Sequence, residues 1–321
     1  DPDDVLDELI EKAFLTRISN TVGSSVNYRS RMGHSLHLFR SLRQWMHGQN
    51  LDASKSLVSD FRFLRRPRAY PIRDISVDEV IATCKGDGIM DRNILDAVKR
   101  QIGDYSLSGF QLRSTIRTLN AWEKHKRRVK YPSATITCAG TGSGKTMAFF
   151  LPALSSLAKD IIDDNSRRVR VLAIYPRQEL LKDQFNETWN ACRKLDGLTL
   201  GQSGRKIKVG ALFGNTPQDS RYILKGQQQF FYSGLLQCPT EGCDGQMRWN
   251  KADILQNKER LLCHKCGNEI LDDEVSLTRR SMENCPPDIL FTTTEMLNQQ
   301  MGNPLRQKLF GINTNKTIPL V

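Results

Sequence analysis

The sequence of 321 residues has no hydrophobic run long enough to cross a membrane, and its acidic residues are outnumbered by basic ones. A membrane-spanning helix needs about 20 consecutive, mostly apolar residues, and no segment approaches that length. The first residues, Asp1 to Glu11, are acidic and amphipathic, which is unlike a signal or transit peptide. We therefore expect a cytoplasmic protein without a membrane partner.

Repeats and low-complexity tracts are also absent from the sequence. The length is enough for two domains or for one domain with insertions, and the hydrophobic content of 39% is enough for a sizeable core. The net charge of +12 favours a polyanionic partner such as nucleic acid, although a solvated basic surface would give the same value. Eight cysteines without secretory features indicate metal ligands or free thiols in a reducing compartment rather than disulfides.

A glycine-rich loop at residues 139–146 carries the most specific chemistry of the sequence. It follows a β-rich run at residues 134–138 and precedes an apolar helical run. The backbone amides of such a loop bind phosphates, its lysine reaches the β- and γ-phosphates, and its threonine binds Mg²⁺. The predicted ATP contacts are Ala139, Gly140, Thr141, Gly142, Ser143, Gly144, Lys145 and Thr146, the last two being catalytic.

The hydrophobic pattern changes near residue 105. Residues 1–105 show helical spacing and predict a mainly helical accessory region, in which residues 62–73 form a basic arm or linker. From residue 106 strands alternate with helices, which favours a parallel sheet. The predicted strands lie at 134–138, 169–175, 207–213, 288–292 and 317–321, and the predicted helices at 111–126, 146–158, 178–192 and from 295.

A cysteine-rich insertion occupies residues 218–285, between two predicted strands. Its spacing is Cys238-x4-Cys243, then nineteen residues, then Cys263-x2-Cys266. Two close cysteine pairs at this separation are typical of a tetrahedral Zn²⁺ site with four thiolate ligands. A redox dithiol and an iron–sulfur cluster are alternatives. Because such an insertion has little core, we expect the metal to supply most of its folding energy.

Four further segments resemble the motifs of superfamily 2 helicases and follow the order of that family. They are a glutamine before the phosphate loop, a strand-to-helix turn, a G-x-T-P element and a threonine-rich turn. In this sequence they read Phe110-Gln111, Tyr175-Pro176-Arg177, Gly214-Asn215-Thr216-Pro217 and Pro287 to Leu297. Each of the last three lies at the C-terminal end of a predicted strand, at the edge where open α/β sheets bind ligands.

The resemblance covers residues 106–321 and implies an α/β fold: a RecA-like P-loop parallel sheet with helices on both faces. It implies an ATP- and Mg²⁺-dependent helicase or translocase, with DNA favoured over RNA, in which Gln111 contacts adenine. The implied nucleic-acid contacts are Pro176, Arg177, Gly214, Thr216, Thr292, Thr293 and Thr294. The wording YPRQELLKDQ and GNTP is most similar to the branch that includes bacterial 3′-to-5′ helicases and helicases of anti-phage (antiviral) defence.

The sequence departs from that family in two respects. Ala139 replaces the first glycine of the phosphate-loop pattern, a variant typical of one branch of P-loop proteins. Neither an Asp-Glu-x-His motif in the required order nor a second RecA-like domain occurs before Val321. We therefore expect a motor fragment whose partner domain lies in a missing remainder and which hydrolyses little ATP alone.

Two functions of other classes stay open from the residues. One is a non-motor P-loop enzyme such as a nucleotide kinase, and the other is a zinc-containing nucleic-acid-binding module that uses ATP only as a structural ligand. The ordered motifs favour the helicase. Residues 1–105 or the insertion could also bind protein partners.

Overall fold

The computed structural model describes residues 2–18, 26–43, 47–48, 50, 54–56, 71–126, 134–140, 142–224, 228–304 and 306–312. Two compact units divide the chain, Asp1–Ala69 and Tyr70–Val321. Most of the predicted basic arm at residues 62–73, the loop residue Thr141 and the predicted strand at 317–321 lie outside the described residues.

The first unit contains a strand pair and two helices. The strands pair antiparallel, and Ser30 begins the second helix because its hydroxyl accepts a hydrogen bond from the Gly33 amide at 3.0 Å. The elements are α1 (Pro2–Glu11), β1 (Leu15–Ile18), β2 (Asn27–Ser30) and α2 (Arg31–Ser41).

The second unit begins with elements that pack beside the phosphate-loop helix. The apolar face of α4 includes Ile94, Val98 and Ile102, which are buried in one cluster with Leu151. The predicted boundary at residue 105 therefore falls inside this unit, because α4 needs the phosphate-loop helix to cover its apolar face. The elements are β3 (Arg73–Ile75), α3 (Val77–Gly86), α4 (Arg92–Ile102), β4 (Leu107–Ser108), α5 (Gly109–Lys126) and α6 (Lys145–Asp163).

A parallel four-stranded sheet forms the centre of the second unit, in the order β11–β6–β12–β5. Helices α6 and α7 cover one face, and α10 and α11 cover the other. This is the predicted α/β architecture. The strands are β5 (Val171–Tyr175), β6 (Val209–Leu212), β11 (Val275–Ser276) and β12 (Ile289–Thr293), and the helices are α7 (Gln178–Arg193), α8 (Asp196–Ser203), α10 (Arg279–Asn284) and α11 (Thr294–Met301).

The cysteine-rich insertion forms an antiparallel four-stranded sheet, in the order β10–β9–β8–β7. Its apolar residues Trp249, Leu261 and Ile270 join the same buried cluster as α7. The insertion therefore has more core than its sequence predicts, since it shares the core of the parallel sheet. Its elements are β7 (Phe230–Gln237), β8 (Gln246–Asn250), α9 (Lys251–Leu255), β9 (Leu261–Cys263) and β10 (Glu269–Ile270).

The predicted strand at residues 134–138 is wrong for this structure. Residues 134–140 have no regular secondary structure, and no described strand pairs with them. A β-strand is stabilised by hydrogen bonds to a neighbouring strand, so its apolar pattern alone does not form it. The four helices predicted after residue 105 are observed as α5, α6, α7 and α11, with shifts of a few residues at their ends.

A buried ion cluster lies at the amino-terminal ends of the sheet strands. Asp288 precedes β12, is fully buried and accepts a hydrogen bond from the Lys208 amide at 3.0 Å. Three guanidinium groups also donate to its carboxylate: Arg170 at 3.0 Å, Arg167 at 3.1 Å, and Arg205 at 2.7 and 2.9 Å. The cluster neutralises a carboxylate whose burial would otherwise be costly.

The helices of the described residues bear on the prediction that the chain has no membrane-spanning segment. None of them is both long and apolar enough to span a lipid bilayer.

Candidate functional site: phosphate loop, strand-end loops and cysteine cluster

The phosphate loop ends at Gly144, which is the N-cap residue of α6 and has a φ of +78°. This left-handed conformation favours glycine, and no side chain caps the first turn of the helix. The first amides of α6 are therefore available to an anion, which the helix dipole also favours.

Lys145 bends back over the loop. Its ammonium group donates to the carbonyl oxygens of Ala139 at 2.7 Å and Gly140 at 3.3 Å, and no carboxylate pairs with it among the described residues. The Ser143 hydroxyl donates to the Gly140 carbonyl at 2.8 Å, which holds the loop closed. Lys145 and Thr146 thus lie together at the start of α6, as the sequence predicts.

Gln111 lies against this loop although it is 33 residues away in sequence. Its Nε2 donates to the Gly144 carbonyl at 3.1 Å, and its Oε1 accepts from the Ser108 amide at 2.9 Å. A Cβ atom on Gly144 would lie 2.5 Å from Gln111 Nε2, so this close approach needs glycine. The structure brings the predicted adenine contact to the phosphate loop.

A cavity of about 400 Å³ opens beside Gln111, Gly144 and Thr146. Its walls include Arg73 and Tyr105, which the sequence analysis did not assign to the site. Arg73 is the last residue of the predicted basic arm at residues 62–73. The pairing of β3 with β4 brings it near the phosphate loop, and the sequence does not reveal this pairing. Tyr105 is 68% exposed and carries no sequence signal of its own.

The turn after β5 exposes Pro176 and Arg177 at the start of α7. The Arg177 carbonyl accepts from the Leu181 amide at 3.1 Å, but its guanidinium group has no hydrogen-bond or ion-pair partner among the described residues. Tyr175 stacks on Phe291 at 5.9 Å between ring centroids, and burial raises the pKa of its hydroxyl to about 12. Tyr175 is therefore a neutral packing residue, whereas Arg177 presents a free cation.

The loop after β6 exposes Gly214 but buries the Thr216 side chain. The Thr216 hydroxyl donates to the Ala211 carbonyl at 2.8 Å and accepts from the Phe213 amide at 2.9 Å. Arg279 braces the same loop by donating to the carbonyls of Thr216 at 2.9 Å and Gly214 at 3.1 Å. The hydroxyl of Thr216 thus shapes the loop from inside.

The three threonines after β12 lie in different environments. The Thr292 hydroxyl is buried and donates to the Leu212 carbonyl at 2.8 Å. Thr293 is the N-cap of α11 and accepts from the Met296 amide at 3.3 Å. Thr294 alone is exposed, so its side chain is the one of the three that a ligand can reach.

The four cysteines of the insertion converge on one point. The sulfur atoms of Cys238, Cys243, Cys263 and Cys266 all lie within 4.8 Å of one another. The Cys238–Cys266 and Cys243–Cys263 pairs are 3.3 and 3.8 Å apart. Zinc–sulfur bonds of about 2.3 Å in a tetrahedron place sulfurs about 3.8 Å apart, so the donor set fits one Zn²⁺ ion.

The backbone around the cysteines also fits a metal site. Gly242 and Gly267 have φ values of +72° and +75°, and a Cβ atom on Gly245 would lie 2.3 Å from the Cys263 sulfur. The Thr240 hydroxyl and the Asn268 amide lower the pKa of the Cys266 thiol to about 6. His264 lies outside the donor set, and its Nδ1 accepts from the Gln246 amide at 2.9 Å.

A glycine loop that ends in Lys-Thr before a helix, beside a parallel sheet covered on both faces, defines a P-loop nucleotide-binding protein. Residues 117–232 match the family of DEAD/DEAH box helicases. Over these residues the chain is similar to the RecA-like helicase domains of superfamily 2, a class that uses ATP and Mg²⁺.

Three relatives are similar to parts of the chain. Druantia protein DruE of Escherichia coli is 24% identical over 216 residues, which cover 56% of this chain and 12% of that protein. ATP-dependent RNA helicase DBP3 of Meyerozyma guilliermondii is 36% identical over 83 residues, 26% of this chain and 13% of that protein. ATP-dependent RNA helicase vasa of Drosophila melanogaster is 37% identical over 81 residues, 25% of this chain and 11% of that protein.

Proposed function

We propose that this chain is the ATP-binding motor domain of a longer helicase or translocase that moves on nucleic acid. The observation that carries the proposal is the position of Lys145, whose ammonium group bonds only to loop carbonyls among the described residues. A triphosphate would replace those carbonyls as the partner of Lys145, while Thr146 offers its hydroxyl to Mg²⁺. The family match favours this motor over a nucleotide kinase or a module that uses ATP structurally.

The nucleotide base would bind near Gln111, beside the cavity next to the loop. Gln111 Nε2 is held by the Gly144 carbonyl, so the amide is oriented before the nucleotide arrives. Nucleic acid would contact the loops at the strand ends through the exposed side chains of Arg177 and Thr294 and the backbone of Pro176 and Gly214. The buried threonines would act by shaping these loops.

The kind of nucleic acid and the biological role are finer proposals. Two of the relatives are named as RNA helicases, which opposes the preference for DNA in the sequence analysis. The role in anti-phage defence and the cytoplasmic location stay predictions, as does the coupling to a second RecA-like domain by alternating closure.

The first experiment measures nucleotide binding to this chain. Lys145→Ala should weaken the binding of a fluorescent ATP analogue, with Lys99→Ala, an exposed lysine on α4, as the matched control. Strand displacement by the longer protein should then be compared on DNA and RNA duplexes of one sequence. Equal nucleotide affinity in Lys145→Ala and wild type would overturn the proposal.

We also propose that the cysteine cluster holds one structural Zn²⁺ ion. Binding of zinc to such sites contributes on the order of 10 kcal/mol to folding. Cys263→Ser should lose the metal and unfold the insertion locally, whereas Cys285→Ser, which lies outside the cluster, should retain it. Elemental analysis that finds no zinc in wild-type protein purified without chelator would refute this assignment.

A further inference from the structure

The loop after β6 faces the insertion across a small cavity. The cavity measures about 180 Å³. Its walls include Lys182 on α7, Asn215 in the loop after β6, and Phe231 and Trp249 on the insertion. The cavity therefore lies between a loop that is proposed to bind nucleic acid and the sheet of the insertion.

The pairing of β7 with β8 decides which aromatic rings face this cavity. Phe231 lies opposite Trp249, so both side chains lie on one face of the insertion sheet. Phe230 and Tyr232 lie on the opposite face, where their rings meet at 5.1 Å and Arg248 lies 5.8 Å from the Phe230 ring. The inserted sheet thus presents Phe231 to the cavity.

The two aromatic walls differ in exposure. Trp249 is 1% exposed and fixed by a hydrogen bond from its Nε1 to the Lys258 carbonyl at 2.7 Å. Phe231 is 40% exposed, so a large part of its ring remains uncovered. After Phe231 the register of β7 shifts between Tyr232 and Gln237, and the shifted residues 233–235 line the cavity. Such irregularities redirect a strand and its side chains.

The polar rim of the cavity suits a phosphate. Lys182 is half-buried, and its ammonium group has no hydrogen-bond or ion-pair partner within the described parts of the chain. Asn215 is exposed next to Gly214. An aromatic ring beside an unpaired ammonium group is the combination with which proteins bind single-stranded nucleic acid, by base stacking and phosphate contact.

We propose that this cavity receives one base of a single-stranded nucleic acid, with the base stacked on Phe231 and an adjacent phosphate bound to Lys182. The inference rests on the proposed function, because the strand that crosses the loops after β5 and β6 would supply the base. The insertion then acts as a base-stacking extension of the motor, and it prefers no particular sequence, since every base has a ring face.

The test uses the full chain and two fluorescent oligonucleotides of equal length, one of mixed sequence and one abasic. Phe231→Ala should weaken the binding of the mixed oligonucleotide about 5- to 150-fold, the range of base–aromatic stacking, and leave the abasic one unchanged. Phe230→Ala is the matched control, because Phe230 is 39% exposed on the same strand but faces away. Lys182→Gln should weaken both oligonucleotides and lower the dependence of binding on salt.

The outcomes separate this inference from the proposed function. If wild-type protein binds the mixed oligonucleotide and Phe231→Ala binds it equally well, the stacking site is refuted while the helicase proposal stands. If wild type binds neither oligonucleotide, both fail. An equal loss in Phe231→Ala and Phe230→Ala also refutes the site, since the cavity face would then have no special role. Zinc content and thermal unfolding of each variant must match wild type, which excludes misfolding of the insertion.

Discussion

The aspartate cluster at the start of the sheet strands and the phosphate loop hold positive charge in opposite ways. Three arginines of the cluster bond to the carboxylate of Asp288. Within the part of the chain that the structure describes, the ammonium group of Lys145 bonds only to carbonyl oxygens. A carboxylate neutralises the charge of a bound cation, whereas a neutral carbonyl oxygen leaves the positive charge of the cation uncompensated. The difference indicates which cations of this protein serve the fold and which are available to an anion.

Removing the carboxylate is the strongest way to break this comparison. Asp288→Ala leaves the buried Arg170 and the partly buried Arg167 and Arg205 without their common partner, and loss of one partner of a buried ion pair costs about 3–5 kcal/mol. We expect a fall of this size in the free energy of unfolding, measured by urea denaturation. Asp272→Ala, at an exposed position, should stay within about 0.5 kcal/mol of wild type. Equal stability of the two variants would contradict the structural role of Asp288.

Lys145→Ala tests the opposite side of the comparison. Because hydrogen bonds to charged groups contribute about 1.5–3 kcal/mol, affinity for an ATP analogue should fall about 10- to 100-fold. The free energy of unfolding should stay near the wild-type value, since Lys145 neutralises no carboxylate among the described residues. A large loss of stability with intact nucleotide binding would reverse the comparison.

Gly144→Ala sharpens the comparison by straining the loop without touching a charge. A φ of +78° costs a non-glycine residue about 1–2 kcal/mol, and the new Cβ would clash with Gln111 Nε2 at 2.5 Å. We expect weaker nucleotide binding and a fall of this size in stability, measured by calorimetry. Adding Gln111→Ala should relieve the clash but retain the cost of φ. Gly140→Ala is the control, because a Cβ at Gly140 would meet nothing within 4 Å.

The smallest effect concerns Asp196, whose carboxylate lies 3.4 Å from the guanidinium group of Arg193. Burial raises the pKa of Asp196 from 3.8 to about 6, and its Oδ1 has no hydrogen-bond partner within the described ranges. Between these values the folded state holds a proton that the unfolded state has released, so stability falls as pH rises from about 4 to about 6. Asp196→Asn should therefore lose less stability than wild type as pH rises from about 4 to about 6. A stability difference that does not change with pH would contradict this assignment.

The elements that the sequence predicts correctly are those with a strong local pattern. The buried strands β5 and β12 and the helices α5 and α7 were predicted within a few residues of their ends. Helix α8 was missed because Gly197 and Gly201 lower its intrinsic propensity. Burial of Leu198 in the main core stabilises α8 in the fold, and this contact is invisible in the sequence.

The site was predictable to the extent that its chemistry is local. The spacing of the four cysteines predicted a cluster that the structure brings together, and the Lys145-Thr146 pair lies at the start of its helix. Internal partners cannot be read from a motif, so the buried hydroxyls of Thr216 and Thr292 were expected to face nucleic acid. The stacking position of Phe231 depends on strand register, which sequence alone does not fix.

The buried position of Asp288 has a practical consequence for purification. At 0.1 M salt, dissolved ions largely screen interactions between exposed charges that lie more than about 10 Å apart, but they screen buried pairs much less. Nucleic-acid contacts weaken steeply as salt concentration rises, because bound counterions are no longer released favourably. A concentrated salt wash should therefore remove contaminating nucleic acid from this basic protein, while the parallel sheet that contains the Asp288 cluster stays folded.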